Sequence, residues 1–215
     1  MADDLKYGYK GAEPTQSFGN NTGVFDPNDI NNLIADNKWT TFGQLELIET
    51  QTYSSGVANI DFTSIDESIY NVHFMTISNL KCTAASQSVG IQLYESGTLE
   101  TGSVYEYANE YINLGGGGSE VKSTGYTQIR LFSTSSQAIN GINAYLYFYN
   151  LGDSAKYSFT SMQHFMEAAT GTMYAYFGNG VLPQASVVDG IRIVNHASNN
   201  FTDFDISLYG IKEYS

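Results

Sequence analysis

Residues 142–150 read INAYLYFYN, and their alternation decides the fold class. Successive side chains of a strand point to opposite faces. Ala144, Leu146 and Phe148 therefore share one face, and Tyr145, Tyr147 and Tyr149 share the other. Working outward, strand-like text recurs over 44–50, 57–62, 70–78, 89–94, 126–132, 157–165, 173–177, 187–194 and 204–211. Turn chemistry separates these runs: Ser54-Ser55-Gly56, Glu95-Ser96-Gly97, four glycines at 115–118, Gly152-Asp153-Ser154 and Gly178-Asn179-Gly180. About ten short strands with turns between them predict an all-β protein, a sandwich or a barrel. Strands do not alternate with helices, which sets aside α/β folds, and no fixed-period repeat suggests a propeller or solenoid.

One helix precedes the strands. Asp26 is placed to cap it, Pro27 fits its first position and Asp29 adds negative charge to the first turn. Ile30, Leu33 and Ile34 follow as one apolar stripe, on a helix of about 27–36 too short to persist without docking. Residues 1–25 carry neither period. Tyr7, Tyr9, Phe18 and Phe25 lie among glycines and Pro14 there, which reads as an irregular arm. The expected organisation is an attachment arm over 1–43, with Trp39 a further candidate anchor, and a β-sandwich domain over 44–215.

A chain of 215 residues is long enough to bury a core without staples. Only 14% of it is charged, against about 25% in an average soluble domain. The net charge is −13, from 22 acids and 9 bases. That balance argues against nucleic acid and anionic membrane surfaces as partners, because neutralising phosphates requires clustered Lys and Arg. The single cysteine, Cys82, reads as a small apolar filler near a strand end. No run of 18 apolar residues exists, so membrane insertion is not expected. The opening MADDLKYGYKGAEPTQ lacks the basic start and apolar middle of a secretory signal. The protein is thus expected to stay in the cytoplasm that makes it, or to leave by a route such as lysis.

Chemistry-bearing constellations are scarce. The acids are scattered or sit in turns, as with Asp66-Glu67, Glu95, Glu100 and Asp153. His73, His164 and His196 form no close pair of the kind zinc sites use, so His73 and His164 read as structural histidines within strands. Asp203 and Asp205 share a strand face, yet calcium takes six or more oxygens, and a solvated edge is the simpler reading. The four glycines are followed by Ser119-Glu120-Val121 rather than a Gly-Lys-Ser/Thr helix start, which makes them a flexible loop tip. The expectation is no catalytic residue, no cofactor and no metal.

The tyrosines say more. In MYAYF, residues 173–177, Met173, Ala175 and Phe177 oppose Tyr174 and Tyr176. With the aliphatic sets in the core, Tyr145, Tyr147, Tyr149, Tyr174 and Tyr176 form an outer face, to which Tyr105, Tyr107 and Tyr111 add. Three readings stand: cross-strand pairing alone, a subunit interface, or a stacking platform for sugar rings. A large aromatic outer face is unusual on a monomer, which favours assembly.

Several stretches carry a resemblance. VANIDFTSIDESIYNVHFMTIS (57–78), GIQLYES (90–96), NAYLYFYNL (143–151), KYSFTSMQHF (156–165) and DGIRIVNHASNNFTDFDISLYGIKEYS (189–215) resemble a module common in structural proteins of tailed bacteriophages. The final strand closing in "LYGI" is the most specific part, and the resemblance covers 44–215. The opening MADDLKYGYKGAEPTQSFGNNTGVF, with FDPNDINNLI, is similar to the start of small virion proteins of marine phages. The sequence departs from the wider pattern at Gln92 and Glu95 and at Leu182-Pro183, positions that look structural in the family.

The resemblance implies a jelly-roll-like antiparallel sandwich without catalysis. It implies a place in a virion, on capsid, neck, tail or fibre, among other virion proteins. The protein would be made in the host bacterial cytoplasm and released by lysis. A homo-oligomer is expected, and the resemblance favours a trimer. In this reading Tyr7, Tyr9, Phe18, Phe25, Ile30, Leu33, Ile34 and Trp39 are the arm's anchors. The alternative is a receptor- or carbohydrate-binding module of the same particle, its outer tyrosines against a host surface glycan.

Overall fold

The computed structural model describes residues 27–36, 44–83, 88–133, 138–168 and 171–213. The chain divides into two compact units, and the one spanning Gly43–Glu213 holds all the described strands. The other contains helix α1 (Pro27–Ala35), with Asp29 in its first turn and the Asp36 amide donating to the Asn32 carbonyl at 2.9 Å. None of the residues of α1 is buried; Ile30 and Leu33 are half-buried and Ile34 is exposed. The other expected anchors, Tyr7, Tyr9, Phe18, Phe25 and Trp39, lie outside the described residues.

The strands are β1 (Leu45–Tyr53), β2 (Asn59–Phe62), β3 (Val72–Cys82), β4 (Ser88–Glu95), β5 (Thr98–Leu99), β6 (Tyr105–Asn113), β7 (Gly118–Tyr126), β8 (Ile129–Ser133), β9 (Ala138–Tyr149), β10 (Tyr157–Ala168), β11 (Met173–Ala185), β12 (Val188–Asn195) and β13 (Phe201–Ile211). An eight-stranded sheet runs β1-β13-β3-β9-β10-β11-β6-β7. A five-stranded sheet runs β2-β12-β4-β5, with β8 also on β4. The pairings are antiparallel, and the two sheets form a jelly-roll-like β-sandwich.

Inward residues of the larger sheet, among them Met75, Ile77, Leu146, Phe148, Ile206 and Leu208, meet Phe62, Ile91, Leu93, Ile191 and Ile193 of the smaller one. Burial of this continuous apolar layer is the main force holding the sheets together. Cys82 ends β3 inside the core, and burial pushes its thiol up to about 11. Tyr105 crosses between the sheets: its hydroxyl accepts from the Leu93 amide at 2.9 Å and donates to the Glu100 carbonyl at 3.0 Å.

Two segments differ from the sequence reading. The run around the four glycines is a hairpin, β6–β7, whose turn is closed by Asn113: its amide donates to the Gly117 carbonyl at 2.9 Å. Gly178-Asn179-Gly180 is not a turn but the middle of β11. The glycines serve close packing there, since a Cβ at Gly180 would collide with Ile129 of β8 and one at Gly178 with Asn109 of β6. Pro183 falls where the β10–β11 register shifts, a position that tolerates a missing donor.

At one edge of the larger sheet the Tyr70 ring lies on Gly210, where any Cβ would overlap it. The Tyr70 hydroxyl donates to Glu46 Oε2 at 2.6 Å, and Lys212 Nζ reaches Glu46 Oε1 at 3.2 Å. The bond from Tyr70, then that from Lys212, holds the Glu46 carboxyl below its usual range, while the same bond drives the Tyr70 phenol up to about 12. Tyr70→Phe keeps the ring on Gly210 and removes only this bond, which joins the segment before β3 to β1. It is expected to destabilise the sandwich by about 1 kcal/mol, read from urea midpoints. An unchanged midpoint would show that the bond contributes nothing.

Candidate functional site

The outward face of the eight-stranded sheet is where this fold concentrates apolar surface that the core does not use. Register places Leu47 opposite Tyr209, Tyr209 opposite Phe74, and Phe74 opposite Tyr147, one row across β1, β13, β3 and β9. The next row toward the same end runs Val72, Tyr149, Phe159 and Val181 across β3, β9, β10 and β11. Leu45 and Ile211 are paired beside it on β1 and β13. Leu47 is 60% exposed and Phe159 46%, which is far from burial.

The rings form a connected chain. Phe74 lies 4.8 Å from Tyr147 and 6.2 Å from Tyr209 between centroids, and Tyr147 stands 6.4 Å from both Tyr145 and Tyr149. These separations suit offset or tilted aromatic pairs, so the side chains hold one another in place over the sheet. Tyr145 also donates to Gln163 Oε1 on the adjacent strand. Farther along the face, Phe165, Phe177, Met173 and Ile112 are exposed as well. From β1 to β11 the face thus carries many aromatic and aliphatic side chains, which give way to charged ones on β6 and β7.

Tyr145, Tyr147 and Tyr149 occupy the outer face expected for them. The other two tyrosines of that expectation are reversed. Tyr176 is buried at 3% exposure and Tyr174 packs against the core, while Met173 and Phe177 point outward. Register is the cause: Tyr176 stands opposite inward His164, and their rings stack at 4.4 Å and 15°. Tyr111 joins this stack 5.1 Å from Tyr176. Tyr105 and Tyr107 are buried too, and none of these three adds to the outer face.

Beside the aromatic rows, the face sinks into an open groove of about 730 Å³. Its floor is the row Ser161, Asn179 and Ala108 on β10, β11 and β6, where short side chains leave a trough. Tyr149 and Phe159 bound it at one side, and Glu106 and Lys122 at the other. The Tyr149 hydroxyl lies 3.4 Å from Ser161 Oγ, and Lys122 Nζ is held by Glu120 at 2.6 Å. No single stretch of sequence contains this groove, because its walls come from two separate runs of the chain, β6–β7 and β9–β11.

Several titratable groups elsewhere have structural partners. His73 is buried, with Nε2 2.7 Å from the Ile65 carbonyl, and burial lowers its pKa. His164 is buried at 1% exposure, and burial lowers its pKa to about 3. His196 is exposed and stacks on Tyr126. Asp203 accepts from Asn79 at 2.7 Å and Lys81 at 3.3 Å, and Asp205 accepts from Thr52 at 2.6 Å. On the outward side of the smaller sheet, Arg192 donates to both carboxylate oxygens of Asp61 at 2.6 and 3.0 Å and to the Tyr94 hydroxyl at 2.8 Å. Among the described residues no group of three or more His, Cys, Asp or Glu side chains is arranged to hold a metal ion.

Comparison with protein-family models, with curated proteins and with solved structures gave no match to this chain.

Proposed function

We propose that the protein is a non-enzymatic structural component of a tailed-phage virion that works by packing the outward face of its eight-stranded sheet against a neighbouring subunit. The observation that carries this reading is the row Leu47–Tyr209–Phe74–Tyr147 with its neighbours, apolar across four adjacent strands, with Leu47 exposed and the three rings half-buried. Contiguous apolar patches of this kind mark contact surfaces, and tyrosine and phenylalanine are the residues interfaces enrich. The phage assignment itself rests on the resemblance of residues 44–215, and it brings with it a homo-oligomer, trimeric by preference. Residues 1–43 would supply attachment to other virion proteins of capsid, neck, tail or fibre. Synthesis in the host cytoplasm and release on lysis complete the reading.

Charge on the row tests the interface. Leu47→Glu combined with Phe74→Glu is expected to weaken self-association at least about tenfold in sedimentation velocity, because each carboxylate would have to be buried unpaired. The sandwich should keep its strand content, since both residues lie on the outer face. A double variant that assembles like the parent would place the interface elsewhere.

A further inference from the structure

We propose that the groove over β10, β11, β6 and β7 is a binding site for a neutral oligosaccharide. At about 730 Å³ it falls within the roughly 300–1,000 Å³ of small-ligand sites, and it is an open trough rather than a closed pocket. Such a trough admits the interior of a chain-like ligand as readily as its end. From β10 to β7 it spans three strand spacings, about 14 Å.

The lining is of two kinds. Tyr149 and Phe159 offer ring faces, on which the C–H side of a sugar ring can lie. The Ser161 hydroxyl, the Asn179 amide, the Glu106 carboxylate and the Lys122 ammonium offer donors and acceptors spread along the floor and far wall. A ligand that satisfies both must carry apolar faces and many hydroxyls on the same rings. That is the chemistry of a saccharide.

Charge narrows the class. Lys122 is already paired with Glu120, so Glu106 leaves this end of the groove net negative, and the whole chain carries −13, a field that repels nucleic acid and acidic glycans. A peptide added as an extra strand is disfavoured as well: β10, β11 and β6 are each paired on both sides, and a strand added at the outer edge of β7 would extend the sheet rather than fill the groove. The groove adjoins the self-association row, with Ser161 of its floor opposite Tyr147, but the two readings have different readouts: saccharide binding for the groove, oligomeric mass for the row.

The test uses the full chain and three linear hexasaccharides as probes: α-1,4-linked glucose, β-1,4-linked glucose and β-1,4-linked N-acetylglucosamine. Calorimetry and saturation-transfer NMR are expected to show at least one binding with a Kd of about 1 mM or tighter. Phe159→Ala and Asn179→Ala should each weaken that binding about tenfold; Asn179→Ala, exposed and outside the aromatic rows, should leave melting temperature and oligomeric mass as they were. Absence of binding by all three probes overturns the proposal. So does binding that neither substitution alters, which would put the saccharide elsewhere on the protein.

Discussion

Between pH 7.5 and pH 5 the sandwich is expected to lose about 2 kcal/mol of stability through His164 alone. This histidine sits on β10, stacked on Tyr176 and sealed between the sheets at 1% exposure. Burial lowers its pKa from 6.5 to about 3. The unfolded chain therefore takes up a proton as pH falls through 6.5, while the folded chain does not until near 3. Stability is complete above the unfolded value and declines as the solution becomes more acid, levelling off only below about 3.

His73, also lowered by burial, adds to the same decline. Glu46, whose carboxyl is held below its ordinary 4.5, contributes only at lower pH. The histidine window can thus be read separately. His164→Phe retains a flat ring against Tyr176 and has nothing to titrate. Urea unfolding at the two pH values should show the variant losing about 2 kcal/mol less than the parent. Equal losses would mean that His164 is protonated inside the fold.

Gly178→Val is expected to destabilise the sandwich by about 3 kcal/mol, which lowers the melting temperature by roughly 6–12 °C in a domain of this size. A Cβ at this position would stand 2.6 Å from the Ala108 carbonyl oxygen and overlap the Asn109 side chain. The carbonyl belongs to β6, which is paired on both sides and has little room to retreat. Asn109 is the more serious loss. Its amide donates to the Arg130 carbonyl at 2.6 Å, joining β6 of one sheet to β8 of the other. Displacing it strands the part-buried Arg130 carbonyl as well as straining the strand. Asn179→Ala, one residue away but facing out, should change stability by no more than about 0.5 kcal/mol. Calorimetric melting of the two variants decides the matter, and a Gly178→Val protein within about 1 kcal/mol of the parent would show that β6 yields easily.

The contrast between β9 and β11 explains what the sequence could and could not disclose. In β9, Leu146 and Phe148 oppose three tyrosines, and the apolar set goes inward as its composition predicts. In β11 the two alternating sets are Met173, Ala175 and Phe177 against Tyr174 and Tyr176, both able to fill a core. Their faces are settled only by register with β10, which puts Tyr176 on His164. Gly178-Asn179-Gly180 looked like a turn for a related reason. Glycine serves a bend and a close approach equally, and only the position of β8 distinguishes them.

β7 was missed because it is polar along most of its length, as GSEVKSTGY, and buries nothing fully, and β6, YEYANEYIN, because it turns tyrosine and asparagine rather than aliphatic residues inward. Alternation was therefore too weak there to signal a strand. The candidate site was half legible. The tyrosines of β9 were visible in INAYLYFYN, yet their continuation through Phe74, Tyr209 and Leu47 depends on strands that are far apart in sequence. The groove was not legible at all, since a floor of one short side chain each from β6, β10 and β11 leaves no local pattern.

The most direct measurement is the light-scattering mass of the purified full-length chain and of residues 43–215 at tens of micromolar. If the outward face of the eight-stranded sheet is the interface, both proteins are the same small oligomer, because the truncated one retains Leu47, Tyr209, Phe74 and Tyr147. Two monomers would contradict the account. So would an oligomer lost on truncation, which would move self-assembly from the sheet to the N-terminal segment.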